Sequence, residues 1–380
     1  SPLHVASRSV TRILIFTASI GEGHDLPARE LAESLRERGA EVTVADTLKT
    51  MGPIVERIVV GGSNAVLFEL SYLLVVKVDW TRRVQEWIGL LLGRRGLERL
   101  IAERRPDVIV STYPGINPLL AKMDLGVPLV SAITDLTALE PWVHPDFALH
   151  LITQAESVAE VRRLGGPATR VAHVRGLTRA EFERPVDRAA ARRELGLPAD
   201  QHVVVVSGGG WAMGDLEGAA RAAVEAGAHT VALCGRDEEL RARLAAIEGV
   251  DAWGFTDRMG DLLGAADVLV HSTAGLTVYE AQVRGTRVIS YGWGAGHVRV
   301  NNRAFAELDM ADVARNPQEL RAALSRALAR PRAPDRSYER LPHAADEVLR
   351  LARRATPEPQ PTPGGADRRP GGDRPRAPRA

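Results

Sequence analysis

The chain has 380 residues, which is long enough for two α/β domains, each with its own buried core. Hydrophobic residues make up 45% and charged residues 26%, the balance of a soluble globular protein rather than a fibrous, disordered or multi-span membrane one. The formal net charge of +1 argues against a protein built mainly to hold nucleic acid. The single cysteine, Cys234, excludes an intramolecular disulfide and a cysteine-rich zinc site. With a polar start that does not resemble a signal peptide, these features predict a cytoplasmic location.

The first half of the sequence alternates strand and helix patterns. Arg12 to Ser19 holds the continuous apolar run of a strand buried on both faces, Pro27 to Gly39 has helical spacing, and Glu41 to Ala45 is a second strand. Two further runs, Pro106 to Ser111 and Pro128 to Thr134, predict interior strands that end on polar residues. Such βαβ units predict a parallel sheet whose ligands gather at the carboxyl ends of its strands.

A second α/β series starts at His202. It comprises a strand at Val203 to Ser207, a helix near Leu216 to Ala226, and strands at Thr230 to Cys234, Ala252 to Phe255 and Val268 to Ser272. Two series predict two domains: residues 1–180 would form the N-terminal one and residues 181–335 the C-terminal one. Residues 336–355 are expected to form a helix that packs back toward the N-terminal domain, and the Pro-, Gly- and Arg-rich residues 356–380 a disordered tail.

A glycine-rich turn, Gly21-Glu22-Gly23-His24, follows the first strand. Backbone N–H groups and a helix start there could approach an anion. The turn lacks the third glycine of the dinucleotide fingerprint and the Gly-Lys-Ser/Thr of a P-loop. His24 is either a polar loop residue without a role or a general base, since imidazole accepts a hydroxyl proton near neutral pH.

Two segments of the second half could hold phosphate. The run Gly208-Gly209-Gly210 is costly in chain entropy, and close approach of the backbone to a phosphate would explain it. The residues Ala274, Gly275, Leu276 and Thr277 lead from a strand into a helix, whose free N–H groups and dipole suit a pyrophosphate. No Asp-x-Asp pair occurs in the chain, which favours charge stabilisation by glycine loops and helix ends and predicts neither a metal ion nor another cofactor.

Taken together, these motifs resemble glycosyltransferase family 28, in its branch of monogalactosyl- and processive glucosyl-diacylglycerol synthases. The resemblance spans most of Ile13 to Ala329. Its carrying motifs are Gly21 to His24, Pro106 to Thr112, Thr134-Asp135 with Trp142-Val-His144-Pro145, Gly208 to Gly210, Gly254-Phe255 followed by Met259, Ala274 to Thr277 with Glu280-Ala281, and Gly296 with Asn301.

The resemblance implies the GT-B fold, two facing Rossmann-like domains with a cleft between them, and an inverting enzyme whose C-terminal domain holds a UDP-sugar. His24 would be the base for the acceptor hydroxyl, and Asp135 would line the acceptor side and could orient His24. Gly21, Glu22 and Gly23 would form an acceptor or phosphate loop. On the donor side the resemblance implies binding roles for Gly208, Gly209, Gly210, Phe255, Ala274, Gly275, Leu276, Thr277, Glu280, His297 and Asn301. Of these, Gly275, Leu276 and Thr277 would cradle the diphosphate, Glu280 would bind the ribose, and the backbone near Phe255 would bind the uracil.

Three positions depart from the family pattern. Leu139 stands where the family usually has a histidine, Thr178 replaces the proline of a Gly-x-Pro hinge, and Val298 alters a Pro-Gly-Gln-Glu loop that faces the donor sugar. These departures leave the sugar and the acceptor open.

An apolar stretch between Met51 and Leu100 is interrupted by charges and is too short in any one run to span a bilayer. Its Trp80 and Trp87, with Arg82 and Arg83, are typical of a helix that lies in an anionic membrane surface. The alternative is a set of core-facing helices. In lipid-glycosylating relatives this region forms the membrane-facing acceptor lip, which favours peripheral association with the inner face of the plasma membrane.

The function predicted is therefore hexose transfer from a UDP-sugar to a lipid such as diacylglycerol, without nucleic acid as a partner. Three alternatives stay open at this point. They are a transferase acting on a soluble natural product, an isomerase like the UDP-N-acetylglucosamine 2-epimerases, which share the two-domain architecture, and an inactive nucleotide-sugar-binding protein.

Overall fold

A computed structural model describes residues 10–19, 22–60, 93–137, 139–209, 212, 214–272, 275–292, 296–330 and 337–355. Two parallel six-stranded sheets dominate it, with strand orders β2-β1-β3-β4-β5-β6 and β12-β11-β10-β7-β8-β9. The strands are β1 (Arg12–Thr17), β2 (Glu41–Asp46), β3 (Val108–Ser111), β4 (Leu129–Ile133), β5 (Leu149–Ile152), β6 (Val171–His173), β7 (Val203–Ser207), β8 (His229–Leu233), β9 (Val250–Trp253), β10 (Val268–His271), β11 (Arg287–Tyr291) and β12 (Asp312–Ala314).

Helices connect the strands and cover the sheets. Around the first sheet they are Glu22–Glu37, Thr47–Met51, Pro53–Val60, 93–104, Asn117–Lys122 and Val158–Gly165. Around the second they are Arg188–Glu194, Leu216–Glu225, Glu238–Ala245, Met259–Ala265, Leu276–Val283, Gly296–Glu307 and Pro317–Ala329, and Ala344–Ala355 is the last. Among the described residues, none of the helices combines the length and apolar character needed to cross a bilayer.

The apolar run of β1 shows why the strands lie between helical layers. Alternate side chains of a strand point to opposite faces of its sheet. Ile13 and Ile15 pack with Leu31 of the first helix on one face, whereas Leu14 and Phe16 join a separate apolar cluster on the other. Both faces are therefore dry, as a parallel sheet with helices on each side requires.

The first helix begins earlier than its sequence pattern predicted. It starts at Glu22, so Gly23 and His24 lie in its first turn rather than in a loop before Pro27, which itself lies inside the helix. The apolar spacing starts only after Pro27, and it therefore could not reveal the first turn. This start places His24 at the carboxyl edge of the first sheet, beside Thr112, which follows β3.

The chain crosses between the two sheets twice, and the two crossings run side by side. The N–H of Arg175, just after β6, donates to Pro342 O at 3.1 Å, and Ala344 N–H donates back to Arg175 O at 2.9 Å. After the second crossing, the helix Ala344–Ala355 buries Val348 in the same apolar cluster as Leu31. The C-terminal helix thus belongs to the core around the first sheet.

Candidate active site

His24 lies at the carboxyl edge of the first sheet, held by the residue that follows β3. Its Nδ1 atom is 3.0 Å from Thr112 O, and the Thr112 hydroxyl donates to His24 O at 3.1 Å. A carbonyl oxygen only accepts hydrogen bonds, so Nδ1 carries the proton of the neutral ring and the lone pair resides on Nε2. The imidazole is therefore held in the tautomer that can accept a proton at Nε2.

Aromatic rings surround this imidazole. Tyr113 meets it edge-on with ring centroids 5.4 Å apart, and Trp142 lies 5.9 Å away. The indole Nε1–H of Trp142 donates to Asp135 Oδ2 at 2.8 Å. Asp135 thus shares an indole neighbour with His24, and its proposed role in orienting His24 stays a prediction.

The glycine turn of the second sheet lies beside the end of β10. Gly209 has a φ of +71°, and its N–H donates to Ser207 Oγ at 3.2 Å. Ser272 N–H donates to Ser207 O at 3.1 Å, and a Cβ on Gly214 would come within 2.5 Å of the Ser272 side chain. The loop after β7 and the turn after β10 therefore share one edge of this sheet.

Gly275 starts the helix Leu276–Val283 in a conformation that only glycine adopts readily, with φ +143° and ψ −152°. No side chain of the described residues caps this helix start. The first N–H groups of a helix lack partners within the helix and carry the positive end of its dipole. A diphosphate is a suitable ligand for such a start.

The two edges meet in a cavity of about 10 Å³. Asp135 and Asn301 line it from opposite domains together with Gly275, and Thr137 Oγ1 donates across the cleft to Asn301 Oδ1 at 3.2 Å. Three residues that the sequence assigned to acceptor and donor sides, Asp135, Gly275 and Asn301, thus lie around one space between the sheets.

Glu280 is buried, with 1% of its surface exposed, and its carboxylate is held by the first crossing segment. Thr178 Oγ1 donates to Oε1 at 2.6 Å, and Arg179 Nη1 lies 2.7 and 2.9 Å from the two carboxylate oxygens. Burial raises the pKa of Glu280, and the Arg179 charge opposes that rise. Ribose binding by Glu280 stays a prediction, and it requires these oxygens to accept further bonds or to exchange partners.

The remaining predicted positions fall into two groups. Phe255 follows β9 with a 62% exposed side chain, and the Arg236 guanidinium lies 5.6 Å from its ring. Leu139 is buried, and its N–H donates to Glu160 at 3.3 Å. Outside the described residues or side chains lie Gly21, Glu22, Gly210, Ala274, His297, Val298, Trp80, Arg82, Arg83 and Trp87.

The structure adds three residues to which the sequence analysis gave no role at the site: Thr112 as the partner of His24, Arg179 as the partner of Glu280, and Gln154 in the cavity wall. Thr112 ends a recognised strand motif, so its proximity to His24 could have been inferred from parallel pairing. Arg179 and Gln154 carry no such signal.

Solved glycosyltransferase structures share this architecture. The glycosyltransferase SsfS6 of Streptomyces sp. SF2575, complexed with thymidine diphosphate, aligns with a TM-score of 0.57 and 18% identity over 90% of this chain and 99% of its own. MurG of Acinetobacter baumannii aligns with a TM-score of 0.54 and 16% identity over 90% and 99%. The chain therefore has the GT-B fold, and the predicted fold class is confirmed.

The sequence comparisons identify relatives of this chain. Residues 24–177 match the model of the monogalactosyldiacylglycerol (MGDG) synthase family. A processive diacylglycerol β-glucosyltransferase of Bacillus mycoides (strain KBAB4) is 23% identical over 81% of this chain and 83% of its own, and the chloroplastic monogalactosyldiacylglycerol synthase 1 of Arabidopsis thaliana is 28% identical over 60% and 46%. The chain is thus related to the diacylglycerol glycosyltransferases, and the resemblance predicted from its motifs is confirmed.

Proposed function

We propose that this protein is an inverting glycosyltransferase that moves a hexose from a UDP-sugar to the hydroxyl group of a diacylglycerol-type lipid. The observation that carries the proposal is the arrangement of one cleft. A histidine whose Nδ1 bonds a backbone carbonyl, which places the lone pair of the neutral ring on Nε2, lies at one edge, and the uncapped helix start at Gly275 lies at the other. The names of the relatives support diacylglycerol as the acceptor class.

The second domain stabilises the leaving group, UDP. As the bond between the anomeric carbon and the diphosphate oxygen breaks, negative charge grows on the departing UDP. The N–H groups at the start of Leu276–Val283 and the dipole of that helix stabilise this charge without any rearrangement during the reaction. A Cβ built on Gly275 would meet no atom of the described residues within 4 Å, so the space beside this glycine is open for a phosphate to approach the backbone.

The first domain activates the nucleophile, which is the hydroxyl group of the acceptor. Thr112 O fixes the Nδ1–H of His24, so Nε2 takes the proton of the acceptor hydroxyl. The hydroxyl oxygen forms its bond to the anomeric carbon from the face opposite to the diphosphate. One bond forms as the other breaks, and the anomeric configuration inverts.

A direct hydrogen bond from Thr137 to Asn301 crosses the cleft in which the donor would bind, so we expect the two domains to move apart for substrate entry. The contact between Thr137 and Asn301 would open for entry and form again around the bound donor. Closure of this kind excludes water and limits hydrolysis of the donor.

The membrane surface is the proposed place of reaction. Diacylglycerol resides in a bilayer, and the predicted lip with Trp80, Trp87, Arg82 and Arg83 has the composition of an interfacial segment. We further propose that transfer needs no metal ion, since the helix start supplies the positive potential at the diphosphate.

The test is a mass-spectrometric screen of purified protein with UDP-glucose, UDP-galactose, UDP-glucuronate and UDP-N-acetylglucosamine against a total lipid extract. We expect one donor to yield a lipid heavier by one glycosyl unit, at the same rate with and without EDTA. Conversion of the donor without any acceptor would instead identify an isomerase. Transfer only to water-soluble acceptors would reject the lipid, and UDP binding without turnover in every arm would reject the enzyme.

A further inference from the structure

Gln154 is a buried polar residue of the cleft that the proposed mechanism does not use. β4 and β5 pair with Ile133 opposite Ile152. Asp135 and Gln154 each follow that pair by two residues, so they emerge side by side at the carboxyl edge of the sheet. Gln154 thus stands next to a predicted site residue, one strand farther from His24.

The side chain of Gln154 faces the second domain with an unsatisfied oxygen. It lines the same cavity as Gly275 and Asn301 and is 6% exposed. Its Oε1 atom is buried and has no hydrogen-bond partner among the described residues. A local structural role does not explain why an amide side chain is buried at this position. The backbone carbonyl of Gln154 accepts a hydrogen bond from Ser157 N–H at 3.1 Å, but its side chain does not cap that 3₁₀ turn.

The orphan atom restricts the chemistry of its partner. A buried amide oxygen left unpaired is costly, so a ligand that fills the cleft should donate to it. The oxygens of an ionised diphosphate only accept hydrogen bonds and therefore do not fit Oε1. A hydroxyl group does.

The position of Gln154 relative to His24 indicates which hydroxyl group of the bound substrates can reach its amide oxygen. His24 leans over the end of β3, and Gln154 follows β5, two strands farther along the edge and about 10 Å away at the usual strand spacing. The acceptor hydroxyl and the anomeric carbon must meet beside His24. The hydroxyl groups on the far side of the hexose ring then point along the edge toward Gln154.

We propose that Gln154 Oε1 accepts a hydrogen bond from a hydroxyl of the donor hexose distal to its anomeric carbon, and so helps to select the sugar. The inference rests on the proposed function for the identity of the donor. It adds a contact from the first domain to a donor otherwise held by the second.

The test is calorimetric binding of UDP, UDP-glucose, UDP-galactose and the 3-, 4- and 6-deoxy analogues of UDP-glucose. Gln154→Leu removes the amide at similar volume, Gln154→Glu keeps an acceptor oxygen, and Gln201→Leu is the control. Gln201 is exposed and binds Gly227 O at 3.0 Å, outside the cleft. Because binding is measured, the result does not depend on transfer.

For the wild type and for Gln201→Leu we expect one deoxy analogue to bind roughly 10-fold more weakly than the UDP-hexose that the protein prefers. In Gln154→Leu that difference should shrink to about 2-fold or less while the Kd of UDP stays within about 2-fold, and Gln154→Glu should retain the difference. An undiminished difference in Gln154→Leu, equal weakening of UDP and UDP-hexose binding, or a wild type indifferent to all three deoxygenations overturns the inference. A protein that passes this test but transfers no sugar contradicts only the proposed function.

Discussion

The two sheets present opposite kinds of surface at the cleft. The carboxyl edge of the first sheet offers side chains: the imidazole of His24, the indole of Trp142, the carboxylate of Asp135 and the amide of Gln154. The edge of the second offers mainly backbone, with a glycine turn after β7 and a glycine-led helix start after β10.

The difference follows from the chemistry asked of each side. Taking a proton from a hydroxyl requires a titratable group held in one tautomer, which only a side chain provides. Holding a diphosphate requires several N–H groups at close range, and a side chain at the turn would obstruct them. In the proposed enzyme the first domain therefore acts on the nucleophile and the second on the leaving group.

The prediction with the largest expected effect removes the proposed base from the edge of the first sheet and leaves the edge of the second sheet unchanged. His24→Ala should lower kcat by about 10²- to 10⁴-fold, since the general base is lost, while the Kd of UDP stays unchanged. Steady-state transfer rates and calorimetry measure the two quantities. His173→Ala is the matched control: this histidine at the end of β6 also bonds a backbone carbonyl, Thr153 O at 3.1 Å, and its loss should leave kcat within about 2-fold.

Transfer by His24→Ala at the wild-type rate would remove the base from the mechanism. Equal losses in kcat and in UDP affinity would show that the two edges are not separate in function.

The next prediction alters the edge of the second sheet by a substitution at Gly275. Gly275→Ala places a Cβ on a backbone with φ +143°, a strain of about 1–3 kcal/mol that the turn relieves by moving. UDP should then bind roughly 10- to 100-fold more weakly by calorimetry. Gly227→Ala is the control, because Gly227, with φ +80°, lies before β8 at the opposite edge of the same sheet. It should cost thermal stability and leave the Kd of UDP unchanged.

A Gly275→Ala variant with unchanged UDP affinity would refute the diphosphate site at this helix start. A variant with unchanged affinity and a lower kcat would move the role of Gly275 from binding to transfer.

The prediction with the smallest expected effect concerns the pH dependence of stability, to which one buried histidine inside each sheet contributes. His150 in β5 and His271 in β10 are both buried, and burial lowers the pKa of each to about 4. An unfolded histidine, with a pKa near 6.5, binds its proton first, so stability is full above that value and falls as the pH drops toward 4. Between pH 7 and pH 5.5 each should lower the free energy of unfolding by about 1 kcal/mol.

Denaturant titrations across this pH range measure the slope. His150→Leu and His271→Leu should each reduce it by the share of one histidine, and the double variant by both. A slope unchanged in both single variants would show that these histidines stay unprotonated in the unfolded chain or charged in the folded one.

Much of the fold could be predicted because its signals are local. The apolar runs at Ile13 to Phe16 and Val203 to Val206 form strands that are buried on both faces, and in the sequence a glycine-rich segment follows each of them. By contrast β5 was not predicted, since His150 interrupts its short apolar run. Because this strand was not predicted, the position of Gln154 at the carboxyl edge of the sheet could not be predicted either.

The sequence by itself therefore determined two successive α/β series, the glycine turns and the family that their order resembles, because periodicity and turn chemistry act over a few residues. Only the tertiary structure decided which distant side chains meet: Arg179 on Glu280, and Asp135 and Gln154 around Gly275. These partners lie about a hundred residues apart or in different domains. Contacts of that kind arise from the packing of whole sheets and leave no periodic trace in the chain.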